Sequence, residues 1–137
     1  ENFLSTDWNL RHINNEKMNL SDTDKPIFIN IWATWCGPCR TELPSINSLY
    51  DKYKNTVEFI LVSPNESIEI LKEFAKENNY KLPIYTAIGQ TPSQLQTNSY
   101  PTTIIIDKNK IITHKIKGAH AWNTEEVYLI LNELINK

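Results

Sequence analysis

Cys36 and Cys39 are the only two cysteines in a chain of 137 residues, and the residues around them constrain the fold more than any other feature. Ahead of them runs Ile27-Phe28-Ile29-Asn30-Ile31-Trp32, β-branched and aromatic, which suits a central strand buried on both faces. Behind them Ile46, Leu49, Tyr50 and Tyr53 recur at i, i+3, i+4 and i+7. That spacing predicts a helix from near Cys36 to about Tyr53, with Pro44 kinking it. Trp35-Cys36-Gly37-Pro38-Cys39 therefore joins a strand to a helix and puts both sulfurs at a helix N-terminus. Free backbone N–H groups and the macrodipole there favour a thiolate, and thiols so placed ionise at roughly pH 3.5–7.5 instead of about 8.5. Cys36 is expected to be the exposed attacking thiolate, and Cys39, one turn in, the more buried resolving thiol. Gly37 and Pro38 turn the chain into the helix while keeping the sulfurs within bonding reach.

A lone pair of cysteines cannot staple a small secreted scaffold and supplies only half of a four-cysteine zinc site. Inert or metal-binding cysteines are the alternative for a bare CxxC, but the strand-to-helix setting favours a reversible dithiol. The length suits a single domain, residues 1–137. Hydrophobic residues at 40% and charged residues at 22% exclude a disordered, collagen-like or coiled-coil chain. A net charge of −2 leaves no basic footprint for nucleic acid. No apolar run approaches the ~18–20 residues that span a bilayer. Residues 1–10 lack the cationic start and apolar core of a signal peptide. With no initiator Met either, the chain reads as a mature or trimmed form, so its start says nothing about compartment.

The remaining elements follow from periodicity and punctuation. Leu10–Ile13 and Lys17–Leu20 flank Asn14-Asn15-Glu16 as a hairpin. Val57–Val62 is a second buried strand. Ser63, Pro64 and Glu66 then read as N-cap, N1 and N3 of a helix carrying Ile68, Leu71, Phe74 and Ala75 and ending near Asn78-Asn79. Leu82–Tyr85 is a short strand, and residues 86–99 are irregular with one helical turn after Pro92. Thr102–Ile106 and Ile111–Ile116 form a hairpin through Lys108-Asn109. Asn123 caps a last helix with Glu126 at N3 and an apolar face of Val127, Ile130, Leu131, Leu134 and Ile135. The order predicts a mixed sheet with helices on both faces.

The stretch Asn30-Ile31-Trp32-Ala33-Thr34-Trp35-Cys36-Gly37-Pro38-Cys39-Arg40-Thr41-Glu42-Leu43-Pro44 resembles the thioredoxin superfamily. It is closest to the TlpA/ResA-like branch, whose signature is WCxPC, a basic residue, a Glu two further on and a Pro. The early hairpin and Tyr100-Pro101-Thr102-Thr103-Ile104-Ile105-Ile106-Asp107 match as well, so the resemblance spans nearly the whole chain. It implies a thioredoxin-like α/β fold, with a central mixed sheet flanked by helices and an N-terminal β-hairpin. It makes Pro101 a cis-proline facing the dithiol and lets the Tyr100 backbone pair with a substrate strand. Trp35, Gly37, Pro38, Tyr100, Pro101 and Gly118 then line the substrate groove. Two departures stand out. Asn30 occupies the place of a buried Asp in plain thioredoxins, and the turn Asp107-Lys108-Asn109-Lys110 is one residue short and lacks the usual Gly.

Asn30 cannot titrate, so another group must take the Cys39 proton. Glu42 lies three residues after Cys39 on the same helix and is the candidate, with burial raising its proton affinity. The competing reading is a first-turn acid held by the helix dipole, or a partner of Arg40. His120 beside two cysteines invites a copper-delivery reading, but Sco-type copper proteins have a CxxxC spacing that this chain lacks; a loop histidine is expected. His12 and His114 are expected at the surface, as are Lys72, Lys76 and Lys81. Trp32 is assigned to the core, and Trp8 and Trp122 have no assignment. The expected function is a protein-disulfide reductase cycling through Cys36 and Cys39, with a dithiol oxidase or isomerase, or a copper-delivery or interaction module, as alternatives. Cofactor and metal are expected to be none beyond the Cys36–Cys39 disulfide. A monomer is expected, and the resemblance implies a place on the extracytoplasmic side, with protein disulfide or dithiol substrates. It also implies an upstream dithiol donor at the membrane and a task such as cytochrome c maturation.

Overall fold

The structure, a computed structural model, describes residues 7–137. Its strands are β1 (Asn9–His12), β2 (Lys17–Asn19), β3 (Ile27–Ile31), β4 (Glu58–Ser63), β5 (Ile84–Ala87), β6 (Thr102–Ile106) and β7 (Ile112–Lys117). The helices are α1 (Gly37–Tyr53), α2 (Ile68–Glu77) and α3 (Glu125–Ile135). The strands form one mixed sheet in the order β2-β1-β5-β4-β3-β6-β7. β3 pairs parallel with β4 and antiparallel with β6, which places the strand leading to the cysteines in the middle. The N-terminal hairpin β1–β2 joins the sheet through antiparallel pairing with β5.

The side-chain alternation of β3 sorts the core into two layers. Phe28 and Trp32 point to the layer that also holds Phe59, Leu61 and Ile105, with buried residues from all three helices. Ile27, Ile29 and Ile31 point the other way, to a layer with Ile60, Val62, Ile104 and Ile106. Among the described residues that second layer contains no α-helical residue; Trp8, Leu20 and Leu95 close it, the last two from short 3-10 turns at Leu20–Asp22 and Ser93–Leu95. The expectation of α-helices on both faces is thus corrected. The crossovers β3–α1–β4 and β4–α2–β5 step the same way across the sheet, and a fixed right hand puts both helices on one side.

Two helix starts also differ from the sequence reading. α2 is capped by Ser67, whose side chain accepts the Ile70 N–H, and not by Ser63, which ends β4. α3 is capped by Thr124, which accepts the Val127 N–H, and not by Asn123. α1 runs without a break through Pro44. β4, β5 and β7 lie one or two residues later than the sequence spacing placed them. The Asp107 turn closes without glycine: Asp107 Oδ1 accepts the N–H groups of Asn109 and Ile111, and Lys110 takes a φ of 65°.

The end of α2 matches its expected place and shows why the chain stops there. Asn79 adopts a φ of 56°, Tyr80 N–H bonds Ala75 O at 2.9 Å, and Asn79 N–H bonds Lys76 O at 3.3 Å. This is a Schellman closure, and Tyr80 stacks on Phe74 across it. Asn tolerates the left-handed region and Ala does not. Asn79→Ala is expected to cost about 1 kcal/mol and lower the midpoint of thermal unfolding by roughly 3–6 °C, whereas Asn79→Gly is expected to leave it unchanged or raise it.

Candidate active site

Cys36 is the N-cap of α1, and its sulfur accepts the Cys39 N–H at 3.3 Å. Gly37 and Pro38 fill the first two helical positions, where a proline forfeits no helical hydrogen bond. Cys36 and Cys39 are joined as a disulfide with Cα atoms 5.3 Å apart. Cys36 is 6% exposed and Cys39 1%. The order is the expected one, but the outer cysteine is more enclosed than a position at the helix tip suggested. The carbonyl oxygen of Tyr100 lies 3.7 Å from its sulfur and closes that side.

The loop into α1 is braced from β4's end. The Glu66 carboxylate accepts the backbone N–H of Thr34 at 2.8 Å, the Thr34 hydroxyl, and the Ser63 hydroxyl at 2.7 Å. Arg40 donates to Thr34 O at 2.8 Å, so it braces the same loop and does not pair with Glu42. Sequence reasoning took Glu66 for a helix-start residue. Its actual partner lies 32 positions away and is invisible to local pattern.

Around the disulfide the groove residues converge. The Tyr100–Pro101 peptide is cis. The Tyr100 ring packs against Trp35 with centroids 5.8 Å apart, and Trp35 remains 69% exposed. Gly118, at a φ of 90°, donates its N–H to Pro101 O at 2.8 Å. Trp35, Tyr100, Pro101 and Gly118 are thereby linked around Cys36, with Gly37 and Pro38 exposed beside it.

Glu42 sits beneath this surface at 3% exposure. Its carboxylate is held by three donors: Asn30 Nδ2 to Oε1 at 2.8 Å, the His120 backbone N–H to Oε2 at 2.9 Å, and Trp122 Nε1 to Oε2 at 3.0 Å. A buried carboxylate without such partners would be strongly destabilising. Burial still dominates and pushes the carboxyl above its ordinary range, against the pull of the Trp122, Asn30 and His120 hydrogen bonds. Asn30 Nδ2 also reaches Thr103 Oγ1 at 3.0 Å, while its Oδ1 has no partner among the described residues.

Trp122 is the residue the sequence reading left unassigned and the site uses. Trp8, also unassigned, is a fully buried core residue. His120 is exposed, with its ring 4.9 Å from that of Trp122. His12 is half-buried against Tyr85 and not at the surface, because the hairpin pairs with β5 there. Among the described residues no group of three or more His, Cys, Asp or Glu side chains is placed to hold a metal ion.

Comparison with known proteins agrees with this geometry. The AhpC/TSA family model matches residues 5–115. The thiol-disulfide oxidoreductase ResA of Bacillus thuringiensis subsp. konkukian is 35% identical over 133 residues, covering 93% of this chain and 73% of that protein. A candidate thiol:disulfide interchange protein DsbE from Chlorobium tepidum superposes with a TM-score of 0.82 at 23% identity, over 98% of this chain and 97% of that one. The exposed lipoprotein thioredoxin Etrx1 of Streptococcus pneumoniae superposes with a TM-score of 0.75 at 24% identity, over 93% and 99%. A thioredoxin-like α/β fold, a disulfide at the start of α1 and relatives of this kind lead to one assignment: the chain belongs to the AhpC/TSA family of thioredoxin-like proteins and is a thiol-disulfide oxidoreductase.

Proposed function

We propose that the protein works as a protein-disulfide reductase on the extracytoplasmic side of a membrane. The observation that carries the direction is the setting of the Cys36 sulfur. Among the described residues it has one hydrogen-bond donor, the Cys39 N–H, and it faces the negative end of the Tyr100 carbonyl. The start of α1 favours a thiolate there while the Tyr100 carbonyl opposes it, so the stabilisation falls short of the strongly held thiolate that makes an oxidant.

In this reading the Cys36 thiolate attacks a sulfur of the substrate disulfide. The substrate S–S bond breaks, one substrate thiolate leaves and takes a proton from water, and a mixed disulfide forms. Cys39 then passes its proton to Glu42 and attacks the Cys36 sulfur. The second substrate thiolate leaves, and two electrons have moved from the Cys36–Cys39 pair to the substrate. Trp35, Tyr100, Pro101 and Gly118 receive the substrate as an added strand along the Tyr100 backbone. No dissociable cofactor or metal takes part, and a membrane dithiol donor re-reduces the pair. The resemblance to the TlpA/ResA-like branch, together with a relative named as the thiol-disulfide oxidoreductase ResA, supports a task such as disulfide removal in cytochrome c maturation. The protein acts as a monomer and has no nucleic-acid partner.

Equilibration with glutathione tests the direction. The pair is expected near thioredoxin's roughly −270 mV, far from the about −120 mV of strong oxidants. A midpoint at about −150 mV or above would replace the reductase with an oxidase or isomerase using the same residues.

A further inference from the structure

We propose that Trp122 is a positioning residue of the exchange reaction, its indole N–H fixing the Glu42 carboxylate and governing how readily that carboxylate takes the Cys39 proton. The inference rests on the base role of Glu42 given above and adds the residue that controls it.

The geometry makes the indole a fixed donor. Trp122 is fully buried, and its ring meets Phe28 edge-on with centroids 5.2 Å apart and planes at 90°. Its backbone N–H donates to Ser45 Oγ at 3.1 Å, and that hydroxyl donates to Glu42 O at 3.0 Å. The residue is therefore tied to α1 at two points, through its backbone and through Nε1, one turn of helix apart. Such a donor cannot swing away when Glu42 changes charge, so it acts as a preorganised dipole.

The count of acceptor positions shows what the donor does. A carboxylate has about four lone-pair positions. Trp122 Nε1 and His120 N–H occupy Oε2, and Asn30 Nδ2 occupies one position on Oε1. The position left for a proton is on Oε1. Trp122 and the His120 N–H stabilise the ionised form, so removing one of them must raise the proton affinity of Glu42. The titratable groups beside it are the Cys39 thiol, three residues back on α1, and the His120 imidazole from the loop. β3 and β6 contribute only the neutral Asn30 and Thr103. Arg40 is engaged with Thr34.

The test is the pH profile of single-turnover resolution of a mixed disulfide, with 5-thio-2-nitrobenzoate as the leaving thiol, in the full chain. Trp122→Phe keeps an aromatic ring on Phe28 and deletes the donor. Should that variant fold poorly, 3-benzothienylalanine at position 122 keeps the bicyclic shape and replaces N–H with sulfur. Either is expected to move the midpoint of the profile to higher pH and to slow resolution about three- to tenfold on its acid side, with rates converging at high pH. The carboxyl 13C signal of Glu42 in the reduced protein is expected to titrate at correspondingly higher pH. In a Glu42→Gln background the same changes at 122 are expected to leave the profile unmoved. A profile and 13C titration identical to the parent's, or a shift that persists without Glu42, would overturn the role of Trp122. Coincident profiles for the parent and Glu42→Gln alone would instead remove the base role itself, and with it the premise for Trp122.

Discussion

Cys36→Ser is expected to lower the rate of protein-disulfide reduction about a thousandfold or more, to the background without enzyme. The serine hydroxyl is no nucleophile toward sulfur at neutral pH, yet it is among the best helix N-caps. It can accept the Cys39 N–H that the Cys36 sulfur now accepts. The variant should therefore fold and melt like the parent in its dithiol form while losing activity, which separates a chemical from a structural effect. Cys39→Ser should behave differently. It keeps the attacking sulfur, so it should form a mixed disulfide with substrate and then stop. Non-reducing gels after mixing with a disulfide-containing protein check both. A band for Cys39→Ser and none for Cys36→Ser is expected, and equal trapping by the two would show that the assignment within the pair is wrong.

Glu42→Gln is expected to slow resolution of the mixed disulfide roughly 10²-fold near neutral pH, the low end for loss of a positioned general base. Burial raises the proton affinity of Glu42, so the ionised base accumulates only as pH climbs above the ordinary carboxylate range. Resolution by the parent should rise through that window, and the glutamine variant should lack the rise. The fold should tolerate the change. The new side chain can still accept from Trp122 and His120 through its oxygen. Its NH2 would face Asn30 Nδ2, but a turn of the Asn30 amide would offer the Oδ1 that now has no partner. Stopped-flow reduction between about pH 5 and 9 reads the effect. Superimposable profiles for the two proteins would return Glu42 to a packing role.

The sequence carries the chemistry of this site more plainly than its support. The disulfide and its place at a helix start follow from local patterns that depend on few competing choices, whereas the Tyr100–Pro101 segment beside it was placed only through the resemblance to the thioredoxin superfamily. The order of the strands was legible as well, because each apolar run is bounded by strong turn residues. Helix starts were less legible. Ser63 and Ser67 stand four residues apart and both satisfy the capping rule, and only the pairing of Ser63 into β4 decides between them. The face taken by each helix was not legible from element order alone. It depends on the direction in which successive crossovers step across the sheet. Trp122 could not be placed because its partner is 80 positions away and an indole carries no sign of whether its N–H or its ring matters. The available clue was a need: a buried Glu42 requires donors, and the Gly118–Trp122 segment had polar hydrogens without another assignment.

One sulfur atom serves both as reactant and as the cap of α1, since Cys36 Sγ accepts the Cys39 N–H. Stability and chemistry at this helix end are therefore in direct competition. The residues that would cap α1 best, Ser, Asp or Asn, are the ones that cannot exchange disulfides. Selection for a firmer fold has no route through position 36 that preserves activity. It must act elsewhere, at the Ser67 and Thr124 caps or the closure at Asn79, none of which lies on the loop that carries the reacting sulfurs.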